Sequence, residues 1–198
     1  MTVEPDWPVE LRGVTESVVA TLGPNELWNM AALGLRAPDT PGEPVTATTW
    51  GNTRTKRNFE HNGGGVIQFT ADPREFVDSV MTIYEQPEPV LPNAEAWIEI
   101  EAESVDHGFE DGTKWERWEL RPIKEGIIER SRPLTINRGF YAVVDAAVAA
   151  SRLDVPAFET DVLLERMAYF EEIVEKCGGP REQEAFERLS EYSDWRAY

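Results

Sequence analysis

The spacing of apolar residues changes once along this chain, and that change limits what it can fold into. From Gly13 to about residue 132 apolar and β-branched residues alternate or come in short runs, as strands require. From about residue 137 they recur every three to four positions, as on helices. "GVTESVVATL" (13–22) and "LWNMAALGLR" (27–36), separated by the turn signal "GPNE", read as a first hairpin. After the loop "APDTPGEP" come a third strand, "VTATTW" (45–50), and a fourth, "VIQFT" (66–70). "EAWIEIEAESV" (95–105), with Trp97 or Ile98 and Ile100 marking its faces, is expected to pair with a strand near "WERWELRPI" through the turn "FEDGT". Two helices sit among these strands. "TRTKRNFEHN" has Asn52 or Thr53 as N-cap and "GGG" to close it, and "REFVDSVMTIY" is opened by Asp72 and Pro73, with Phe76, Val77, Val80 and Ile83 on one face.

"NRGFYAVVDAAVAASRL", "DVLLERMAYFEEIVEK" and "REQEAFERLSEY" then follow as helices, Leu163, Leu164, Met167, Phe170 and Val174 forming one stripe. The expected architecture is α+β: a barrel-like β domain over 1–132 and a helical appendage over 133–198. A length of 198 residues with 41% apolar residues is enough for a buried core.

Charge narrows the function. There are 37 acidic residues against 19 basic, a formal net charge of -18, and lysine occurs only at Lys56, Lys114, Lys124 and Lys176. An acid-rich, lysine-poor surface suits a high-salt cytoplasm, where screening relieves self-repulsion, so a halophilic source is expected. Nucleic acid is not expected as a partner, because phosphate backbones call for extended basic surfaces. No apolar run is long enough to span a membrane, and the acidic, proline-broken "MTVEPDWPVE" does not read as a signal peptide, so the reading is a soluble cytoplasmic protein. One cysteine, Cys177, and two histidines, His61 and His107, leave no set of metal ligands. Cys177, before "GGP", reads as a buried helix-end residue.

Within this acidic chain one window, from residue 44 to 59, contains no acid, and it holds Arg54, Lys56 and Arg57 interleaved with Thr53 and Thr55 and followed by Asn58. It lies where the third strand gives way to a helix, so free N–H groups and the positive end of the helix dipole meet hydroxyl and guanidinium donors. A charged hydrogen bond to a phosphate contributes roughly 1.5 to 3 kcal/mol, and arginine makes two in parallel. The spacing alone fits equally a solvated basic face. A small phosphorylated ligand suits the patch better than a polymer.

The succession "GVTESVVAT", "NMAALGLRA", "TTWGNTRTKRNFEHNGGGVIQFTADPREFV", "NAEAWIEIEAE" and "NRGFYAVVDAAVAASRL" resembles an archaeal domain-of-unknown-function family, number 447, of FMN-binding split-barrel proteins related to flavin reductases. The resemblance runs over nearly the whole chain. It implies a six-stranded split β-barrel with a C-terminal helical appendage, forming a homodimer with FMN at the interface. It also implies that Thr53, Arg54, Thr55, Lys56 and Asn58 hold the phosphate and that Thr48, Thr49 and Trp50 run along the flavin ring. Asn29 and Met30 match the small-residue strand beside the ring, where this chain lacks the family's proline, and Asn137 and Arg138 match a pair opening the first C-terminal helix. Asn137 reads equally as an N-cap.

Other candidates are weaker. Glu99, Glu101 and Glu103 share one strand face, which in so acidic a chain reads as solvated. His61, at a helix end, reads as a partner of that end or as a proton donor near a flavin, and His107 falls in the expected turn. Trp50 is the tryptophan placed to stack on a cofactor. Two function classes stay open: a flavin-dependent oxidoreductase, and a non-catalytic flavin-binding or interaction protein. A deazaflavin (F420) in place of FMN is the third possibility.

Overall fold

The structure is a computed structural model that describes residues 6–198 apart from 111, 131, 154 and 156, and of Pro73 the backbone alone. Residues 1–5 of the opening segment and Asp111 of the "FEDGT" turn lie outside the described residues. The chain divides into two compact units, one built from Glu16–Ile136 with the segment ending at Leu11, the other from Asn137–Tyr198 with Arg12–Thr15. Among the described residues no helix is long and apolar enough to cross a membrane.

The first unit is a closed barrel. Its elements in chain order are β1 (Val14–Leu22), β2 (Trp28–Arg36), β3 (Val45–Trp50), α1 (Arg54–Asn62), β4 (Gly64–Thr70), α2 (Pro73–Met81), β5 (Tyr84–Gln86), β6 (Ala94–Glu110), β7 (Thr113–Pro122) and β8 (Ile127–Ile128). Neighbouring strands run β2-β3-β7-β6-β4-β1, and β1 pairs back with β2, so six strands close a ring and leave it no open edge. β5 extends the sheet beside β2, and β8 pairs with β6. The lumen is filled by alternate residues of every barrel strand: Val19, Leu33 and Leu35, Val45 and Ala47, Ile67 and Phe69, Ala96 to Ala102, Trp118 and Leu120. This is the period of two that the sequence shows. Phe59 of α1 joins them, its ring 5.2 Å from that of Trp118 and tilted by 59°.

Three local readings change. First, β6 runs on to Glu110, so His107 lies within a strand opposite Glu116 and not in a turn. The polar tip stays extended because β7 satisfies its backbone, which needs no apolar face. Secondly, only Gly63 of the triple glycine closes α1, at φ 71°, while Gly64 and Gly65 already belong to β4. A Cβ on Gly64 would lie 2.2 Å from the Ile100 carbonyl oxygen, and one on Gly65 2.4 Å from that of Ala20. Thirdly, α2 stops at Met81, and of its expected apolar face only Phe76 packs on the core, against the cluster of Val18, Met30 and Val66, while Val77, Val80 and Ile83, with Met81, are exposed. The inward side carries Glu75 and Ser79. Glu75 is held by the Thr70 hydroxyl (2.7 Å) and by the backbone N–H and side-chain amide of Asn93 (3.2 and 3.0 Å), a polar network that takes the place expected for the apolar stripe.

The second unit is helical, with α3 (Arg138–Ala150), α4 (Thr160–Cys177) and α5 (Pro180–Ser193). Ala142, Ala146 and Ala149 pack with Leu163, Met167, Val174, Phe186 and Leu189, and Leu164 and Phe170 complete the expected α4 stripe. Small residues on α3 let the helices approach closely.

Candidate functional site

The acid-free window takes in β3 and most of α1. Thr53 is the N-cap, its hydroxyl accepting the Lys56 N–H at 3.2 Å, which settles the choice between Asn52 and Thr53. The window is acid-free along the chain but not in space. Arg54 pairs with Glu85 of β5, Lys56 pairs with Glu60 and, at 2.7 Å, with Glu116 of β7, and Arg57 donates to the Asn52 carbonyl at 3.0 Å. Hydrogen bonds donated to the Glu116 and Glu60 carboxylates raise the Lys56 pKa above its ordinary 10.5. Burial pushes the Glu116 carboxyl up, but hydrogen bonds from Lys56 and Ser104 outweigh it and leave its pKa below the usual carboxylate value. Lys56 therefore serves to tie α1 to β7.

Beside this junction a cavity of about 430 Å³ is lined by Asn29, Met30, Ala31, Ala32 and Leu33 of β2, Thr48, Thr49 and Trp50 of β3, Thr53, Arg54 and Thr55, and Ser79, Thr82 and Ile83 at the end of α2. Most of the residues expected to hold a cofactor thus meet in one place, brought there because β2 and β3 are neighbours and α1 starts where β3 stops. Lys56 and Asn58 are not in the lining. The Asn58 amide is engaged with β1, donating to the Thr21 hydroxyl at 3.0 Å.

Asn137 and Arg138 belong to the helical unit. Asn137 caps α3 through the Phe140 N–H (3.1 Å), donates to the carbonyls of Arg12 (2.6 Å) and Cys177 (3.2 Å), and is thereby occupied as a junction residue. Arg138 contacts the buried Cys177 sulfur at 3.2 Å. His61 and His107 are both exposed, and Glu99 pairs with Lys124 at 2.6 Å.

Two of the lining residues stand out by what they lack. Asn29 is 5% exposed and Thr55 4%, yet neither side chain makes a hydrogen bond with any described residue. No fully buried side-chain polar atom is left without a partner among the described residues, so the Asn29 amide and Thr55 hydroxyl open onto the cavity. Thr49 differs: it accepts from Trp118 Nε1 at 3.0 Å and is satisfied. Each residue is nearly buried while its polar end opens onto one cavity, an arrangement that can meet the polar edge of a ligand. Trp50 adds a half-exposed aromatic face. The contribution of Ser79 of α2, and of Thr82 and Ile83 just after it, was not legible in the sequence, since nothing there fixes which way a short helix turns. Ala31 and Ala32 directly follow Asn29 and Met30 and carried the signal of a close approach.

The fold is a closed six-stranded antiparallel barrel followed by a helical unit. The chain belongs to the DUF447 family, proteins of unknown function: the model of the family's N-terminal domain matches residues 15–129, and a second DUF447 model matches 137–191. Among solved structures it is similar to the FMN-bound protein MM1853 of Methanosarcina mazei, of the same family, at 25% identity and TM-score 0.50, with 91% of this chain and 95% of that one covered. It is also similar to flavin reductase HpaC complexed with NADP+ (16% identity, TM-score 0.41, 62% of this chain and 85% of that one) and to a flavoredoxin from Methanosarcina acetivorans (12%, 0.39, 69% and 86%).

Proposed function

We propose that the cavity between β2, β3, α1 and α2 binds FMN and that the protein is a flavin-dependent oxidoreductase. The observation that carries the reading is the pair of unpartnered polar groups that Asn29 and Thr55 turn into the cavity, in a chain whose likeness to an FMN-bound relative covers 91% of its length. The ring lies along Asn29–Leu33 and Thr48–Trp50, within reach of the Asn29 amide and the Trp50 indole. Thr53, Arg54 and Thr55 receive the phosphate end, where the first N–H groups of α1 add donors. FMN supplies the electron transfer, and the residues of this chain bind and orient it. Among the described lining residues there is no acid, histidine, cysteine, lysine or tyrosine. This favours direct hydride transfer from a reduced donor, which needs no protein acid or base, and the same absence is what a non-catalytic flavin carrier would show.

A second copy of the chain completes the site. Trp50 and Ile83 line the cavity and are also exposed, and they continue into the uncovered α2 face of Val77, Val80 and Met81. A flavin ring left open to water on that side would bind poorly, and a two-fold dimer would cover both sites at once.

The absorption spectrum of the purified protein is the first test. Bound oxidised FMN shows two visible bands and a deazaflavin one band at shorter wavelength. A colourless protein that takes up no FMN on titration overturns the reading. With FMN bound, oxidation of a reduced nicotinamide separates the oxidoreductase from the carrier. Light scattering with flavin absorbance should return a dimer that loses flavin as dilution splits it; a flavin-loaded monomer would refute the shared site.

A further inference from the structure

A second cavity, a chamber of about 290 Å³, lies between the β1–β2 turn, α1 and β5, and Asn29 and Arg54 line both it and the first. What fills the donor set there is a carboxylate. Glu85 Oε1 takes the Arg54 guanidinium and Oε2 the Asn25 amide at 3.4 Å. Arg57, one turn further along α1, lines the same chamber and has no acidic partner among the described residues, its guanidinium donating only to the Asn52 carbonyl. Asn29 stands directly opposite Glu85 in the β2–β5 ladder with its amide unpartnered. Donors from the turn, β2 and α1 thus surround one carboxylate, which is how an anion is held.

We propose that Glu85 is a resident stand-in for the ligand's phosphate: on binding, the terminal phosphate of a phosphorylated flavin displaces the Glu85 carboxylate from Arg54 and enters the chamber, so Glu85 sets how tightly the protein holds phosphorylated ligands. The identity of the ligand rests on the FMN reading; the exchange of one anion for another does not. Glu85 is suited to leaving. Its side chain is 21% exposed on a three-residue strand, and a partly exposed ion pair returns to water at little cost. The incoming phosphate brings more charge and more acceptors, and it finds Arg57 without an acidic partner among the described residues. A site of this kind holds its cofactor exchangeably, because part of the phosphate's gain goes into displacing Glu85.

The experiment compares the full chain with Glu85→Gln, Arg54→Ala and Arg57→Gln, at one salt concentration, in two arms. In the first, FMN and riboflavin are titrated by flavin fluorescence quenching. Freeing Arg54 from a charged partner should tighten FMN binding by Glu85→Gln about tenfold and leave riboflavin unchanged. In the second, thermal unfolding is followed against inorganic phosphate alone: the midpoint of Glu85→Gln should rise more than that of the parent, Arg57→Gln should respond less than the parent, and Arg54→Ala should not respond. If Glu85→Gln binds FMN no tighter, or shifts FMN and riboflavin alike, Glu85 only positions Arg54 and the proposal fails. If phosphate acts equally on Glu85→Gln and Arg54→Ala, it also fails. A parent that binds neither flavin overturns the FMN reading, and the phosphate arm then decides on the chamber by itself.

Discussion

At the scale of single residues, Thr55 separates a ligand site from ordinary packing. The residue is nearly buried and its hydroxyl, without a partner in the protein, opens onto the cavity, so replacing it by the isosteric valine removes no internal hydrogen bond. Thr55→Val should therefore leave the thermal midpoint unchanged or raise it, while weakening FMN by about tenfold, the value of one hydrogen bond to a charged group. A variant that loses stability and keeps its affinity would make Thr55 a structural residue. Arg54 and Lys56 divide in the same way. Arg54→Ala should weaken FMN at least tenfold, whereas Lys56→Ala should lower stability by about 1 kcal/mol with little effect on FMN, because Lys56 is spent on Glu116 and Glu60. The pH dependence checks the second half. The Glu116 pKa is depressed in the folded protein, so its contribution is fully present above the ordinary value of 4.5 and is lost as pH falls through the lower folded value. Denaturation at a series of pH values should then show the gap between parent and Lys56→Ala closing in acid. That these lining residues meet was legible in the sequence, since the order β2, β3, α1 follows from periodicity and turn residues. It misplaced Lys56 because an acid-free stretch of sequence says nothing about acids arriving from β7, some 60 residues on.

At the scale of elements, what was legible was whatever one period decides. Strands that bury one face, and helices α3 to α5 with one apolar stripe, follow the pattern of their residues. What was not legible depends on partners distant in sequence. α2 turns Glu75 inward because Thr70 and Asn93 are there to meet it. β6 extends past its apolar stretch because β7 runs alongside, and the three-residue β5 has no signal of its own. The triple glycine is the informative error: it was expected to end a helix, yet two of its members begin a strand where β1 and β6 approach too closely for a side chain. Gly64→Ala should accordingly destabilise the barrel well beyond the roughly 1 kcal/mol of a helix-propensity change, since backbone has to move. Gly63→Ala, strained at positive φ but facing open space, should cost about 1 kcal/mol. Urea denaturation of the two variants checks the order; equal losses would mean that the close approach at Gly64 relaxes freely.

At the scale of the whole molecule the governing quantity is a net charge of -18 spread over 198 residues. Ion pairs use part of the acidic excess, among them Arg54–Glu85, Lys56–Glu116, Lys124–Glu99, Arg130–Glu95 and Arg196–Glu171, but 37 acids face 19 bases, so about half of the acids have no cationic partner to find. Two effects of salt then oppose each other. Screening weakens the pairs, most of which are partly exposed and contribute at most about 1 kcal/mol each. It also relieves the repulsion among the unpaired carboxylates, which is summed over many charges and favours the expanded chain. With the Debye length falling from about 10 Å at 0.1 M to about 3 Å at 1 M, the repulsion is still being relieved far above physiological ionic strength. The second effect should win for so unbalanced a chain. The thermal midpoint is expected to rise with potassium chloride into the molar range, and sodium chloride should act alike if screening is the cause. Calorimetric or circular-dichroism melts from about 0.1 M to about 3 M test this; a midpoint that is flat or falls over that range would mean that local pairing, and not net charge, governs the stability of this protein.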